Sequence, residues 1–158
     1  MRLATLALAS IVLMPAAAAA DVTVFLGRNS ADDHRAAVRG VALGVSMLVV
    51  GFEFEYATSS EDLDDARPSL RTTSGNAFIQ TFGIPWVQLY LTTGVGMYRE
   101  QLATDSTTGF LLNNGGGAKF TVAGPLRARI DYRIFNLRSG EPRHKTVQRL
   151  YGGLNLAF

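Results

Sequence analysis

The chain has 158 residues, no cysteine and two histidines, and 15 Lys+Arg against 13 Asp+Glu leave a net charge of +2. The missing cysteines exclude a disulfide scaffold, a thiolate metal site, a catalytic thiol and a lipidated cysteine. A surplus of two charges is no nucleic-acid footprint, although the isoelectric point is near 9.2. Charged residues make up only 18% and hydrophobic ones 47%, against about 25% charged in ordinary soluble domains, so a soluble enzyme is the weaker expectation.

Residues 1–20 read as an export signal. Arg2 supplies a positive charge, Leu3 to Met14 form an apolar run, and Pro15 breaks it. Ala18-Ala19-Ala20 before Asp21 satisfies the small-x-small cleavage rule. The apolar run is too short for a spanning helix, which needs about 20 residues. Cleavage after Ala20 leaves 138 residues with 14 cations and 13 anions.

From residue 21 on, apolar residues recur with period two, the signature of strands. Eight strands are predicted, over roughly 22–28, 35–46, 49–58, 73–83, 86–100, 107–122, 126–138 and 146–158. In the third, Val50, Phe52, Phe54 and Tyr56 alternate with Gly51, Glu53 and Glu55. In the fifth, Leu89, Leu91, Thr93 and Val95 alternate with Gln88, Tyr90, Thr92 and Gly94. In the seventh, Leu126, Ala128, Ile130, Tyr132 and Ile134 alternate with Arg127, Arg129, Asp131, Arg133 and Phe135. The connections near Ser46–Val49, Gly83–Trp86 and Ala123–Pro125 are short. Those at Asn29–His34, Ser59–Thr72, Gln101–Ser106 and Ser139–Lys145 are polar and mostly longer. Such asymmetry describes an all-β, eight-stranded antiparallel up-and-down meander, a single domain with both chain ends on the tight-turn rim.

Alternation does not say which face is buried. A soluble ligand-binding barrel would put Phe52, Phe54, Leu89 and Leu91 inside and Glu53 and Arg129 in water; a transmembrane barrel inverts this. Three features favour inversion. Glycines such as Gly51 and Gly115-Gly116-Gly117 lie mid-strand, as tightly curved small barrels require. The polar faces carry complementary charge: Glu53 and Glu55 on the third strand, Lys119 on the sixth, and Arg127, Arg129, Asp131 and Arg133 on the seventh. A narrow lumen would need such charges paired. Finally, the sequence ends on Tyr151-Gly-Gly153-Leu-Asn-Leu156-Ala-Phe158.

That ending resembles the C-terminal assembly signal of bacterial outer-membrane proteins, with Tyr151, Gly153, Leu156 and Phe158 on the motif positions. Tyr151 is the soft match, since the motif has a polar residue there. In strand number, loop asymmetry and length the chain resembles the small eight-stranded barrels of the OmpA/OmpX type. The resemblance implies an outer-membrane protein, inserted by the barrel assembly machinery. Its role would be structural or exercised through surface loops: envelope integrity, adhesion, or host or phage contact. A monomer is expected, with a surface partner that the residues do not name. Some barrels of this kind are lipid A deacylases with a Ser/His pair. The His-x-Ser arrangement expected of them is absent here, because His34 precedes Arg35-Ala36 and His144 precedes Lys145-Thr146.

The remaining candidates have plain readings. His34 and His144 are expected as solvated loop residues without a catalytic role, although a lipid A-modifying enzyme on the same barrel is the alternative function. The acidic run Ser60-Glu61-Asp62-Leu63-Asp64-Asp65 lacks the glycine turn and closing Glu of a calcium loop. Asn113-Asn114 before the three glycines lacks the helix and the Lys-Ser/Thr of a phosphate loop. No metal and no cofactor are expected. The charged lumen set is read as structural, since eight strands enclose a filled interior rather than a pore. Arg71, Arg99, Arg138, Arg143 and Lys145 near the long-loop rim are candidates for lipopolysaccharide phosphates, which arginine binds bidentately. Trp86 and Tyr90 at one rim, and Tyr56 and Tyr98 at the other, are expected as interfacial aromatics.

Overall fold

A computed structural model describes residues 18–31, 34–60, 68–82, 84–140, 142 and 144–158. Eight strands follow one another: β1 (Ala18–Ala31), β2 (His34–Met47), β3 (Val50–Ser59), β4 (Ser69–Gln80), β5 (Val87–Leu102), β6 (Asp105–Ala123), β7 (Leu126–Arg138) and β8 (Thr146–Ala157). Each pairs antiparallel with the next, and β8 returns to β1 to close the barrel. Closure is completed at the chain ends, where Ala20 and Phe158 exchange two backbone hydrogen bonds of 2.9 Å. The proposed cleavage point lies inside β1, yet the β1–β8 register begins at Asp21. A chain starting at Asp21 therefore keeps every one of those pairs and loses the two Ala20–Phe158 hydrogen bonds.

The register fixes the barrel's geometry. Cα partners run Ala20, Val45, Phe52, Ala77, Thr93, Asn114, Ile134, Gln148 and back to β1 at Ser30. The circuit returns ten residues further along β1, so eight strands carry a shear of ten. A barrel of this kind has strands tilted about 35–45° and an interior that side chains fill.

Apolar residues face outward. Phe52 is 62% exposed and Leu91 65%, while Glu53 is 4% and Arg133 0% exposed. This is the opposite of the soluble ligand-binding arrangement. Along β5 the outward residues Val87 to Met97 form a band of about 25 Å once the strand tilt is allowed for. The inside holds two layers. Charged and amide side chains fill the tight-turn side. Toward the long-loop rim Leu70, Tyr98, Leu111, Phe135, Leu137 and Val147 form an apolar cluster. The expectation of a polar lumen thus needs qualifying: toward the long-loop rim an apolar cluster joins buried Glu100, Asn29 and Ser59, because inward positions of β4 to β8 become Leu, Phe, Tyr and Val there.

The loops also differ from expectation. β1 and β2 are separated only by residues 32–33, and β5 and β6 only by Ala103-Thr104. Two of the four connections on that rim are therefore as short as the tight turns opposite. β5 and β6 run on past the apolar band through Arg99 to Gln101 and Asp105 to Thr108, polar residues on both faces. On the tight-turn rim, Gly124 takes a φ of +53° beside Pro125, a backbone state that glycine adopts cheaply. The acidic run 61–65 lies outside the described residues.

Gly117 shows why the glycines sit where they do. Its missing side chain leaves room for the Tyr90 hydroxyl, and an added Cβ would collide with that oxygen and with the Ile130 carbonyl. Gly117→Ala is expected to cost about 1–3 kcal/mol through overpacking. Outward-facing Gly75 has nothing within 4 Å of an added Cβ, so Gly75→Ala should be neutral or stabilising by up to about 1 kcal/mol. Urea titrations of the two variants in detergent micelles test the contrast.

Candidate functional site

The charged lumen residues come from β1, β3, β6, β7 and β8 and meet across the barrel. Arg129 and Arg133 lie on either side of Asp131 on β7. Arg133 reaches three carboxylates at once: Nε to Asp131 Oδ1 at 2.9 Å, Nη2 to Glu53 Oε1 at 2.6 Å and Nη1 to Glu55 Oε2 at 3.2 Å. Arg129 pairs with Glu53 through both terminal nitrogens and with Asp131 Oδ2 at 3.0 Å. Its Nε donates to the Tyr90 hydroxyl at 2.7 Å, and that hydroxyl donates to Asp131.

Two further pairs extend the network along the axis. Arg149 donates from Nη1 to Glu55 at 2.8 Å, from Nε to Asn29 at 2.9 Å and from Nη2 to Thr72 at 3.0 Å. Lys119 donates to Asp21 at 2.6 Å near the tight-turn end. Its ammonium also lies 5.5 Å and 5.8 Å from the Phe78 and Tyr90 ring centroids, within cation–π range. Within this network four cations (Lys119, Arg129, Arg133, Arg149) face four carboxylates (Asp21, Glu53, Glu55, Asp131). Charge neutrality and the many fixed hydrogen bonds suit a structural interior, in which Asp21 Oδ1 and Arg133 Nη1 are buried without a hydrogen-bond partner among the described residues.

Of the seven lumen residues expected from the sequence, six meet in this network. Arg127 does not; it is half-buried and donates to Gln88 at 3.2 Å. Asp21, Arg149 and Tyr90 belong to the network but were not expected in it. Tyr90 and Tyr98 are buried rather than interfacial, and the Tyr98 hydroxyl donates to the Ser139 carbonyl at 2.6 Å. Both sit at even positions of β5, the inward parity, so the correction follows from the same alternation. Trp86 and Tyr56 do lie on the outer face.

The histidines are not separate loop residues. His34 is exposed at the start of β2 and His144 half-buried before β8, and their rings are 5.8 Å apart at the long-loop mouth. They line a cavity of about 40 Å³ with Glu100 and Ser59. Ser59 is no nucleophile in waiting: its hydroxyl accepts from the Leu70 amide at 3.0 Å and donates to the Leu70 carbonyl at 3.4 Å. Among the described residues, no three His, Asp or Glu side chains form a metal-binding group.

Among the described residues, the outer face carries its charge on one edge only. Arg28, Arg39, Arg71, Arg99 and Arg138 are exposed and end the apolar band on β1, β2, β4, β5 and β7. No described acidic residue lies on the outward face of the band. Of the expected lipopolysaccharide contacts, Arg71, Arg99 and Arg138 belong to this belt and Lys145 lies exposed in the loop before β8. Arg143 is outside the described residues. The C-terminal residues Tyr151, Gly153, Leu156 and Phe158 fall on or just beyond β8; Tyr151 is buried in the lumen, stacked on Phe25 at 4.0 Å, and Leu156 and Phe158 face outward.

No protein-family model matches the chain, and no curated protein matches it in sequence. Solved structures do share its fold. Neisserial surface protein A is similar with a TM-score of 0.72 and 13% identity, over 89% of this chain and 97% of that one. Ail, the attachment invasion locus protein of Yersinia pestis, is similar with a TM-score of 0.58 and 16% identity, over 89% and 97%. The outer membrane enzyme PagL is similar with a TM-score of 0.56 and 10% identity, over 86% and 98%. The fold is that of the eight-stranded transmembrane barrels of bacterial outer membranes, and it hosts both surface proteins and an enzyme.

Proposed function

We propose that this chain is a monomeric integral outer-membrane protein with a structural or surface-interaction role, exported by residues 1–20 and cleaved after Ala20. The carrying observation is the inverted polarity: a band of exposed apolar residues around a closed, salt-bridged lumen. In water that band would be a large aggregation-prone surface, while in a bilayer a closed barrel leaves no backbone group unpaired. Phe158 and its neighbours on β8 suit the assembly machinery as an insertion signal. The belt of arginines suits lipopolysaccharide phosphates and supports a long-loop rim on the cell surface. The role is non-catalytic, a reading supported by Ser59 being bound to the Leu70 backbone beside the two histidines.

Gel mobility of the membrane fraction, unheated and boiled in SDS, tests this. The closed barrel is expected to resist SDS when unheated and to change apparent mass on boiling, with the protein in the outer-membrane fraction. A soluble periplasmic protein with no mobility shift would overturn the proposal.

A further inference from the structure

Two grooves meet on the outer face of β8 and β1 to β4. One residue row joins them: Gly152 pairs with Leu26, Leu26 with Arg39, Arg39 with Thr58, and Thr58 with Arg71. Above the row, toward the long-loop rim, a polar groove of about 430 Å³ is lined by Arg39, Arg71, Thr58, Ser60, Ser69 and Gln101. Below it an apolar trough of about 700 Å³ is lined by Val24, Leu26, Val41, Tyr56, Gly152 and Leu154. The two share Leu26, Arg39 and Thr58, so they form one continuous amphipathic depression. Among the described residues, neither is lined by an acidic side chain.

We propose that this depression seats one phosphorylated glycolipid of the outer leaflet, with a phosphate held between Arg39 and Arg71 and an acyl chain in the trough over Gly152. The inference rests on the reading of the chain as an outer-membrane protein. Arg39 and Arg71 stand two strands apart, about 10 Å between backbones. That separation lets two guanidinium groups converge on one phosphate from opposite sides, each able to bind it bidentately. Thr58 lies between them, and Ser60, Ser69 and Gln101 surround them. These hydroxyl and amide groups suit the hydroxyls of a sugar and would have little to bind on a bare phosphodiester. Ser69 already donates to the Gln101 carbonyl at 3.3 Å, which leaves its oxygen free to accept.

The trough exists because β8 has glycine where its neighbours on that face, Leu150 and Leu154, are bulky. A Cβ on Gly152 would find only the Arg129 carbonyl oxygen, at 4.0 Å. The space is thus open to an acyl chain, and a larger side chain could fill it without touching the barrel wall. A second outer trough of about 770 Å³, around Gly75, Phe52, Phe54 and Val95, makes a useful contrast. No cation lines it; its polar lining is Glu53, Asn76, Asn113 and a Thr93–Asn114 hydrogen bond of 2.8 Å. It offers space for a chain but nothing for a phosphate.

The test is native mass spectrometry of the full-length barrel, released from phosphatidylcholine vesicles doped with lipid A, with dephosphorylated lipid A or with phosphatidylglycerol. One lipid A is expected to stay bound to the unmodified protein, and neither of the other two lipids. Arg39→Gln/Arg71→Gln should lower the bound fraction by roughly tenfold or more, and Gly152→Phe should lower it comparably. Arg35→Gln/Arg127→Gln, which removes the same charge outside the belt, should leave it unchanged, as should Gly75→Phe. Equal loss in the two arginine pairs would overturn the seat in favour of diffuse attraction, and equal retention of phosphatidylglycerol would overturn the glycolipid assignment. Heat-modifiable mobility of each variant verifies its fold. A barrel that inserts but retains no lipid A sinks this inference alone, whereas a chain that never inserts sinks the membrane reading beneath it.

Discussion

Arg133→Met is expected to destabilise the barrel by about 3–5 kcal/mol, the usual cost of leaving a buried partner charge uncompensated. Arg133 is fully buried and holds Asp131, Glu53 and Glu55 through three different nitrogens. Removing it leaves four lumen carboxylates facing three cations. Glu53 keeps Arg129 and Glu55 keeps Arg149, while Asp131 keeps one nitrogen of Arg129 and the Tyr90 hydroxyl. Combining Arg133→Met with Asp131→Asn restores the balance and should recover much of the loss. Arg133→Lys should fall between, since one ammonium cannot replace a fork aimed at three acids. Arg127→Met is the reference, because that residue is half-buried with one hydrogen bond to Gln88, and should cost under about 1 kcal/mol. Urea unfolding in phospholipid vesicles orders the four variants. A loss for Arg133→Met no larger than for Arg127→Met would mean that the lumen charges are solvated and contribute little.

The network's members were largely legible before its geometry was. Period-two alternation puts Glu53, Glu55, Lys119, Arg129, Asp131 and Arg133 on the polar faces, and it puts Arg149 and Tyr90 there as well. What it does not carry is which strand lies opposite which position across the lumen. That depends on the shear of ten, which arises from turn lengths and strand overlaps summed around seven hairpins and the closing β8–β1 pair. Arg149 meets Glu55, Asn29 and Thr72 on three other strands, and no local pattern links those residues. Asp21 was hidden for a different reason: it adjoins the export signal, where the run of alanines gives no alternation to assign its face. Its only signal was a lone carboxylate ahead of Val22, Val24 and Leu26 on the opposite parity. The apolar cluster is harder to read, because charge is what marks a lumen face in the sequence. Leu70, Leu111, Leu137 and Val147 stand on the inward parity of their strands, but a hydrophobic residue there looks like a break in the pattern rather than part of a second layer.

Leu91→Arg tests the polarity of the wall from the other side. Leu91 is 65% exposed and sits near the middle of the outward series on β5, with Leu89 and Thr93 beside it on the same face. An arginine there would put its charge close to the bilayer midplane, where lipid-facing Arg costs about 2–4 kcal/mol in barrels. The same change at Met97, two residues below Arg99 on the rim side, should cost about 1 kcal/mol or less, because the longer side chain can reach the interface. The difference between the two variants is the informative quantity, since both add the same residue to the same face of one strand and any change in unfolded-state charge cancels. Refolding yield into vesicles, followed by urea titration, reads it directly. A gradient from Leu91 to Met97 requires a hydrocarbon slab around the barrel with its edge at the arginine belt. If both variants cost the same, β5 meets water along its length, and the exposed apolar band must be covered by something other than lipid.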